Sequence, residues 1–194
     1  MISENISHDS IVCIRDENTE GEIVAERGNK ELAAKLGKEK CVEVTFNRYE
    51  PDPEDTRKHP EKICVGTRTC TFVQFEDGKK GIIGSILQQL LGKRKETKKR
   101  MKKEKDPFKK GLLNSLQLAY KVTANSLYGA LGAKNSKIRF QDLAASTTAT
   151  GRKLLEYARY GIERTYGNNE SKKCDAKYVS GDTDSVFVMV QPKN

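Results

Sequence analysis

The stretch IIGSILQQLLGKRKETKKRMKKEKDPFKKGLLNSLQLAYKVTANSLYG, residues 82–129, decides the fold of this part of the chain. In its first half, isoleucines and leucines recur every three or four residues, which predicts a helix that continues into the basic run. Asp106-Pro107 ends that helix and supplies an N-cap and a first helical position for the next one. The second helix carries its own apolar stripe, so an αα-hairpin is expected. The stripe comprises Leu112, Leu116, Ala119, Thr123 and Leu127.

The sequence on both sides of this hairpin predicts strands and one more helix. Residues 41–49 alternate apolar and polar side chains, and residues 63–75 are rich in Val, Thr and Phe, both typical of strands. A short helix is predicted at 29–36 and a longer one at 143–167. Two β-rich runs around residues 180–185 predict a β-hairpin. The expected fold class is therefore α+β.

Charge is concentrated in one segment of the chain. The 194 residues contain 36 Lys and Arg against 27 Asp and Glu, for a net charge of +9. Residues 93–110 hold eleven basic and three acidic side chains, which gives a net +8 in that segment alone. A polyanion is the natural partner, whether nucleic acid, a nucleotide triphosphate or a membrane surface. A solvated helix face is the alternative interpretation.

Cysteine usage and hydropathy narrow the class of protein further. The five cysteines form no CxxC pair and do not combine with the two histidines into a zinc-binding pattern. The N-terminus MISENISHDS does not resemble a signal peptide, and no apolar run has the length of a membrane span. We therefore expect an intracellular protein with free thiols and no membrane partner.

Two places in the sequence could carry chemistry. Asp182 and Asp184 are two residues apart, so in extended chain both carboxylates leave the same face and could bind Mg²⁺. Most such pairs are simple surface turns. Arg94 and Lys98 are four residues apart and share a helix face. On the second helix a similar face carries Lys121, Asn125 and Tyr128.

Cations on two neighbouring helices could hold a triphosphate. Solvent exposure of the first helix and ordinary packing of the second are the alternatives. Asn125 is harder to explain structurally, because Asn has a poor helix propensity.

These residues carry a resemblance to a known family. KVTANSLYG, residues 121–129, resembles the KxxxNSxYG motif of family B DNA polymerases, and GDTDS, residues 181–185, resembles the YGDTDS motif of the same family. Arg94-Lys95 and Lys98 fall where the family's fingers helix places its triphosphate-binding Arg and Lys. The three features occur in the family's order. MISENISHDS resembles the segment that follows the DxxSLYPS motif in large DNA viruses of algae and protists and in their eukaryotic replicative relatives.

The resemblance implies a domain organisation. Residues 1–80 and 139–194 would form part of an antiparallel polymerase palm. Residues 81–138 would form a helical-hairpin fingers subdomain that interrupts it.

The resemblance also implies a role for each candidate residue in nucleotidyl transfer supported by two Mg²⁺ ions. Asp184 would be a metal ligand and Asp182 a supporting carboxylate at the catalytic centre. The β- and γ-phosphates would be held by Arg94, Lys98 and Lys121. Asn125 would position the incoming nucleotide, and Tyr128 would pack against the nascent base pair.

Two departures from the family pattern stand out. Ser180 replaces the usual Tyr before GDTDS, with Tyr178 two positions earlier. The DxxSLYPS motif, which carries the other metal-binding Asp, is not in the sequence. We therefore expect the isolated chain to bind DNA weakly, with a steep salt dependence, and not to extend a primer.

The implied partners are primer-template DNA, deoxynucleotide triphosphates and, through regions outside these residues, a sliding clamp. The implied location is the nucleus or a viral replication site in a host cell. Three other interpretations remain open: a non-enzymatic basic nucleic-acid-binding protein, another palm enzyme such as a reverse transcriptase, and an inert product of a split gene.

Overall fold

The computed structural model describes residues 1–29, 31–32, 34–35, 40–167, 174–182 and 185–192. The helix predicted at 29–36 lies partly outside the described residues, and Thr183 and Asp184 lie outside them entirely. The chain forms two compact units, Met1–Ser146 and Thr147–Asn194.

An antiparallel sheet of four strands forms the base of the first unit. Its strands are β1 (Ile11–Glu17), β2 (Ile23–Gly28), β3 (Cys41–Pro51) and β4 (Lys62–Val73), in the order β2-β1-β4-β3. The predictions of β3 and β4 are confirmed. Strand β2 was not predicted, because its residues are all exposed and it lacks the apolar face that marks a strand.

The sheet has a small apolar core on β4 and its neighbour β3, which is an edge strand. Cys70 and Phe72 of β4 are fully buried, and they pair across the sheet with Val44 and Val42 of β3. Alternate residues of a strand point to one face, so Cys70 and Phe72 form a single buried row. A core of this size agrees with the chain's low hydrophobic content of 36%.

The predicted helical hairpin is confirmed. Helix α1 (Ile82–Lys103) and helix α2 (Pro107–Gly132) pack against each other, after a short 3₁₀ turn at Glu76–Gly78. The carboxylate of Asp106 accepts a hydrogen bond of 2.9 Å from the N–H of Phe108, and Pro107 occupies the first helical position. This N-cap stops the first helix and starts the second within three residues.

The apolar stripe of α2 does not become its buried face. Leu112 remains 57% exposed and Leu116 40% exposed, whereas Gln117 between α1 and α2 is only 6% exposed. Gln117 therefore lies on the face of α2 that packs against α1.

A third helix and a β-hairpin complete the described chain. Helix α3 (Gln141–Tyr166) has a fully buried residue, Leu143, in its first turn. Strands β5 (Cys174–Asp182) and β6 (Ser185–Pro192) pair antiparallel in the second unit. The predicted helix and hairpin are both confirmed, and so is the α+β class. No helix among the described residues is long and apolar enough to cross a membrane.

Candidate functional site

A polar contact joins the two helices of the hairpin. Nε of Arg94 on α1 donates to Oε1 of Gln117 on α2 over 3.3 Å, and Nε2 of Gln117 donates to Oδ1 of Asn114 over 3.0 Å. Arg94 is half-buried and Gln117 is buried. The guanidinium of Arg94 thus lies at the seam between the helices, with part of its donor set still accessible.

The three candidate residues of α2 follow Gln117 along one flank of the helix. Lys121, Asn125 and Tyr128 come four, eight and eleven residues after Gln117, and helical periodicity keeps such positions within about 80° of one another. All three are exposed, Tyr128 by 37%. Their exposure argues against ordinary packing, which is the alternative interpretation for this helix.

Five of the eight basic residues of α1 line one groove. A cavity of about 450 Å³ is bounded by one apolar and five basic side chains. We call this surface the basic groove, and it consists of Leu91, Arg94, Lys95, Lys98, Lys99 and Lys102. Arg94 belongs both to the basic groove and to the seam with α2.

The other predicted residues lie on the β5–β6 hairpin in the second unit. Asp182 is the last residue of β5 and pairs with Ser185, whose hydroxyl donates to the Asp182 carbonyl oxygen over 3.0 Å. Asp182 is exposed. Asp184 lies outside the described residues, so its predicted role stays a prediction.

Tyr178 reaches the turn that carries Asp182. The register of the hairpin shifts between Tyr178 and Ser180, which is a β-bulge. A Cβ atom on Gly181 would lie 2.9 Å from the Tyr178 hydroxyl, so Gly181 leaves room for that ring. The guanidinium of Arg159 lies 4.9 Å from the centre of the same ring. An aromatic side chain thus lies beside Gly181 although position 180 is Ser.

A buried ion cluster ties the start of α3 to the sheet, and the sequence did not reveal it. Arg68 on β4 contacts Asp16 on β1 at 2.5 and 2.7 Å and Asp142 on α3 at 2.6 Å. Arg48 adds a contact of 3.5 Å to Asp16. Hydrogen bonds from Arg68 lower the pKa of Asp16 although burial opposes its ionisation. No sequence pattern marks this cluster, since its members are far apart in the chain.

A metal site of three or more ligands is not formed by the parts of the chain that the structure describes. Asp182 provides a carboxylate, the donor that Mg²⁺ prefers. The described part of this segment therefore supplies one carboxylate that could bind a hard divalent cation.

Comparison with known proteins decides which family the chain belongs to. The family described as DNA polymerase family B matches residues 1–194. The chain belongs to DNA polymerase family B. The DNA polymerase of Phaeocystis pouchetii virus is 42% identical over 199 residues, which cover 96% of this chain and 19% of that protein. The DNA polymerase delta catalytic subunit of Dictyostelium discoideum is 39% identical over 135 residues, which cover 70% of this chain and 12% of that protein.

Solved structures similar to this family B chain include that of a family B DNA polymerase. It is the family B DNA polymerase of the hyperthermophilic archaeon Pyrobaculum calidifontis, with 29% identity and a TM-score of 0.44. The similarity covers 75% of this chain and 17% of that one. The chain thus spans about a fifth or less of the length of these relatives.

Proposed function

We propose that this chain provides the nucleotide-binding part of a DNA-directed DNA polymerase, which adds deoxynucleotides to a primer 3′ end. The observation that carries the proposal is the hairpin seam. There Arg94 of the basic groove contacts Gln117, one helical turn from Lys121. Membership of family B supports the reaction.

Helix geometry supports convergence of the three cations on one ligand. The helices run antiparallel, so Lys98 lies one turn from the seam towards the hairpin tip and Lys121 lies one turn from it towards the base. With a rise of 1.5 Å per residue, the two lysines are about 12 Å apart along the hairpin, with Arg94 between them. Lys98 and Lys121 each lie beside the face through which their helix packs against the other. Because the helices are antiparallel, both lysines are on the same side of the hairpin.

A nucleotide triphosphate matches this spacing and charge. Its β- and γ-phosphates would accept charge-assisted hydrogen bonds from Arg94, Lys98 and Lys121, which are stronger than bonds between neutral groups. Asn125, one turn after Lys121, would position the incoming nucleotide. Tyr128 would pack against the nascent base pair.

The carboxylates for metal binding would come from the β5–β6 hairpin. Asp184 would hold Mg²⁺ and Asp182 would support it, as the resemblance to the GDTDS motif implies. When bound, a pair of Mg²⁺ ions neutralises charge on the reacting oxygens of a phosphoryl transfer. The residues of this chain would align the triphosphate with the primer end.

The division into subdomains is part of the same proposal. Residues 81–138 would be the fingers, and residues 1–80 and 139–194 would belong to the palm. Primer-template DNA and deoxynucleotide triphosphates would be the substrates. A sliding clamp would be reached through regions beyond these residues. The nucleus or a viral replication site would be the place of action, as the polymerases of viruses and the delta catalytic subunits among its relatives suggest.

Substitution of Lys121 tests the nucleotide site. In a full-length family B polymerase that carries residues 1–194, Lys121→Ala is expected to lower kcat/KM for the nucleotide about ten- to a hundredfold. A lost charge-assisted contact is worth about 1.5–3 kcal/mol. The measurement is single-nucleotide incorporation at varied nucleotide concentration, together with primer-template affinity, which should change little.

Lys109→Ala is the matched control, because Lys109 is an exposed lysine on the same helix, at the hairpin tip. It should leave the nucleotide KM unchanged. Equal nucleotide kinetics for Lys121→Ala and the unmodified enzyme would contradict the assignment. Equal loss of DNA affinity in both variants without any nucleotide effect would favour a basic DNA-binding surface instead.

A further inference from the structure

The N-terminal end of α1 is held by the first residues of the chain. The N–H of Gly81 donates to Oδ1 of Asn5 over 2.7 Å, and the N–H of Ile83 donates to the Ser7 hydroxyl over 3.1 Å. The N–H of Ile82 donates to both carboxylate oxygens of Asp9, at 3.0 and 3.1 Å. Three successive N–H groups at the start of α1 have no acceptor within the helix. Each of them donates to a side chain of the short segment 5–9.

These three side chains belong to a segment of turns, and all three reach the N-terminal end of α1. Asn5 and Ser7 are fully buried. We call Asn5, Ser7 and Asp9 the α1 clamp. Two members of the clamp also contact each other, because the Ser7 hydroxyl donates to the carboxylate of Asp9.

Asn5 also joins α1 to the sheet. Its Nδ2 donates to the carbonyl oxygen of Val73, the last residue of β4, over 2.7 Å. One amide group therefore bridges the end of a central strand and the start of the helix. Asn5 adopts a positive φ of 50°, a conformation that Asn tolerates better than most residues.

Gly81 makes room for the clamp. A Cβ atom at this position would lie 2.6 Å from Oδ1 of Asp9 and 2.7 Å from Cβ of Ser7. Such distances are too short for any real contact, so a side chain here would push the clamp away from the helix. The N-cap position of α1 thus holds a residue without a side chain, and the capping oxygens come from the other segment.

The charge of Asp9 suits its place at the helix end. Burial opposes ionisation, but hydrogen bonds from Ser7 and from the Ile82 N–H outweigh it and lower the pKa of Asp9. An anion at the N-terminus of a helix is also favoured by the helix dipole. Asp9 is therefore charged at neutral pH.

We propose that Asn5, Ser7 and Asp9 are positioning residues for nucleotide binding, which fix the direction of α1 and thereby the location of Arg94 and Lys98. This inference rests on the proposed function of the hairpin. Arg94 lies twelve residues after Ile82, about 18 Å along the helix. A swing of about 5° at the base would displace Arg94 by about 1.6 Å over that length. Displacements of this size are costly for positioned groups.

The first test uses residues 1–194 and measures amide hydrogen exchange at Gly81, Ile82 and Ile83. Asp9→Ala should speed exchange at Ile82 about tenfold, because its hydrogen-bond acceptor is lost. Asp9→Asn should restore much of the protection, since an amide oxygen also accepts. Unchanged exchange at Ile82 in Asp9→Ala would overturn the clamp itself.

The second test uses a full-length family B polymerase carrying residues 1–194. Asp9→Ala should raise the nucleotide KM about tenfold at unchanged primer-template affinity, with rescue by Asp9→Asn. Asn18→Ala is the matched control, because Asn18 also accepts backbone N–H bonds, from Glu20 and Glu22, but in an exposed turn away from α1. Its nucleotide KM should stay unchanged.

The result for Lys121→Ala, measured in parallel, separates the two proposals. A raised KM in Lys121→Ala but not in Asp9→Ala would overturn the clamp's role and leave the nucleotide site standing. A lower melting temperature for Asp9→Ala with an unchanged KM would also overturn it, because the clamp would then only stabilise the fold. An unchanged KM in both variants would overturn both proposals.

Discussion

Asp184→Asn is expected to abolish nucleotide addition by a full-length family B polymerase that carries residues 1–194. The neutral amide of Asn cannot replace an anionic ligand beside two divalent cations. Loss of several kcal/mol of charge stabilisation corresponds to about a thousandfold or more in rate. Single-turnover primer extension in Mg²⁺ is the measurement, because it reports the chemical step without product release.

Asp182→Asn is the matched variant, two residues away with the same chemical change. It should retain a larger part of the rate, since we assign Asp182 a supporting position. Equal residual rates for the two variants would show that the ranking of the two aspartates is wrong. Primer-template affinity should be similar in both, which would exclude misfolding as the cause.

Arg68→Ala is expected to destabilise the first unit by about 3–5 kcal/mol, the usual cost of removing one partner from a buried ion pair. Arg68 is the centre of the ion cluster, and the side chains of Asp16 and Asp142 are only 6% and 13% exposed. Without Arg68, both carboxylates would lose their strongest partner. Urea unfolding of residues 1–194 followed by circular dichroism measures the loss.

Lys40→Ala is the control for this prediction. Lys40 contacts Glu76 at 3.0 Å, and the two side chains are 53% and 80% exposed. Surface ion pairs contribute little, so the change in stability should stay below about 1 kcal/mol. Similar destabilisation by both variants would contradict the importance of the buried cluster.

The lowered pKa of Asp16 gives the Arg68 prediction a pH dependence. A carboxyl whose folded pKa lies below its ordinary value of 3.8 stabilises the fold fully above that pH. Its contribution is lost as the pH falls through the folded pKa. The stability difference between the unmodified chain and Arg68→Ala should therefore narrow in acid below about pH 4. A constant difference between pH 7 and pH 2 would contradict this origin.

Local patterns in the sequence predicted the helical hairpin correctly. Asp106-Pro107 is a short-range stop and start signal, and the structure confirms it through the bond to Phe108. Helical spacing likewise predicted α3, and alternation predicted β3. Such features depend on neighbours in the chain, so one sequence suffices to find them.

Long-range polar contacts were beyond prediction for a physical reason. Asp16 and Asp142 meet at Arg68 only because the sheet and α3 bring them together. The α1 clamp likewise joins residues more than seventy positions apart. Motif resemblance predicted the candidate site residues, but it gave no indication of what holds their helix in place.

The rotation of α2 shows a limit of apolar patterns. The stripe through Leu112 and Leu116 looks like a packing face, yet Gln117 occupies the seam. Periodicity finds a helix reliably but does not tell which partner covers its apolar side. Here the contact with Arg94 reveals the rotation, and only the three-dimensional structure contains it.

The central claim is that the α1–α2 hairpin holds the triphosphate of the incoming nucleotide. Photocrosslinking tests it most directly, with a nucleotide carrying a photoreactive group on its γ-phosphate bound to a full-length family B polymerase with residues 1–194 and primer-template. Peptide mapping by mass spectrometry should place the label on α1 near Arg94 and Lys98 or on α2 near Lys121, and excess unmodified complementary nucleotide should prevent it. Labelling confined to residues outside 82–132 would contradict the claim.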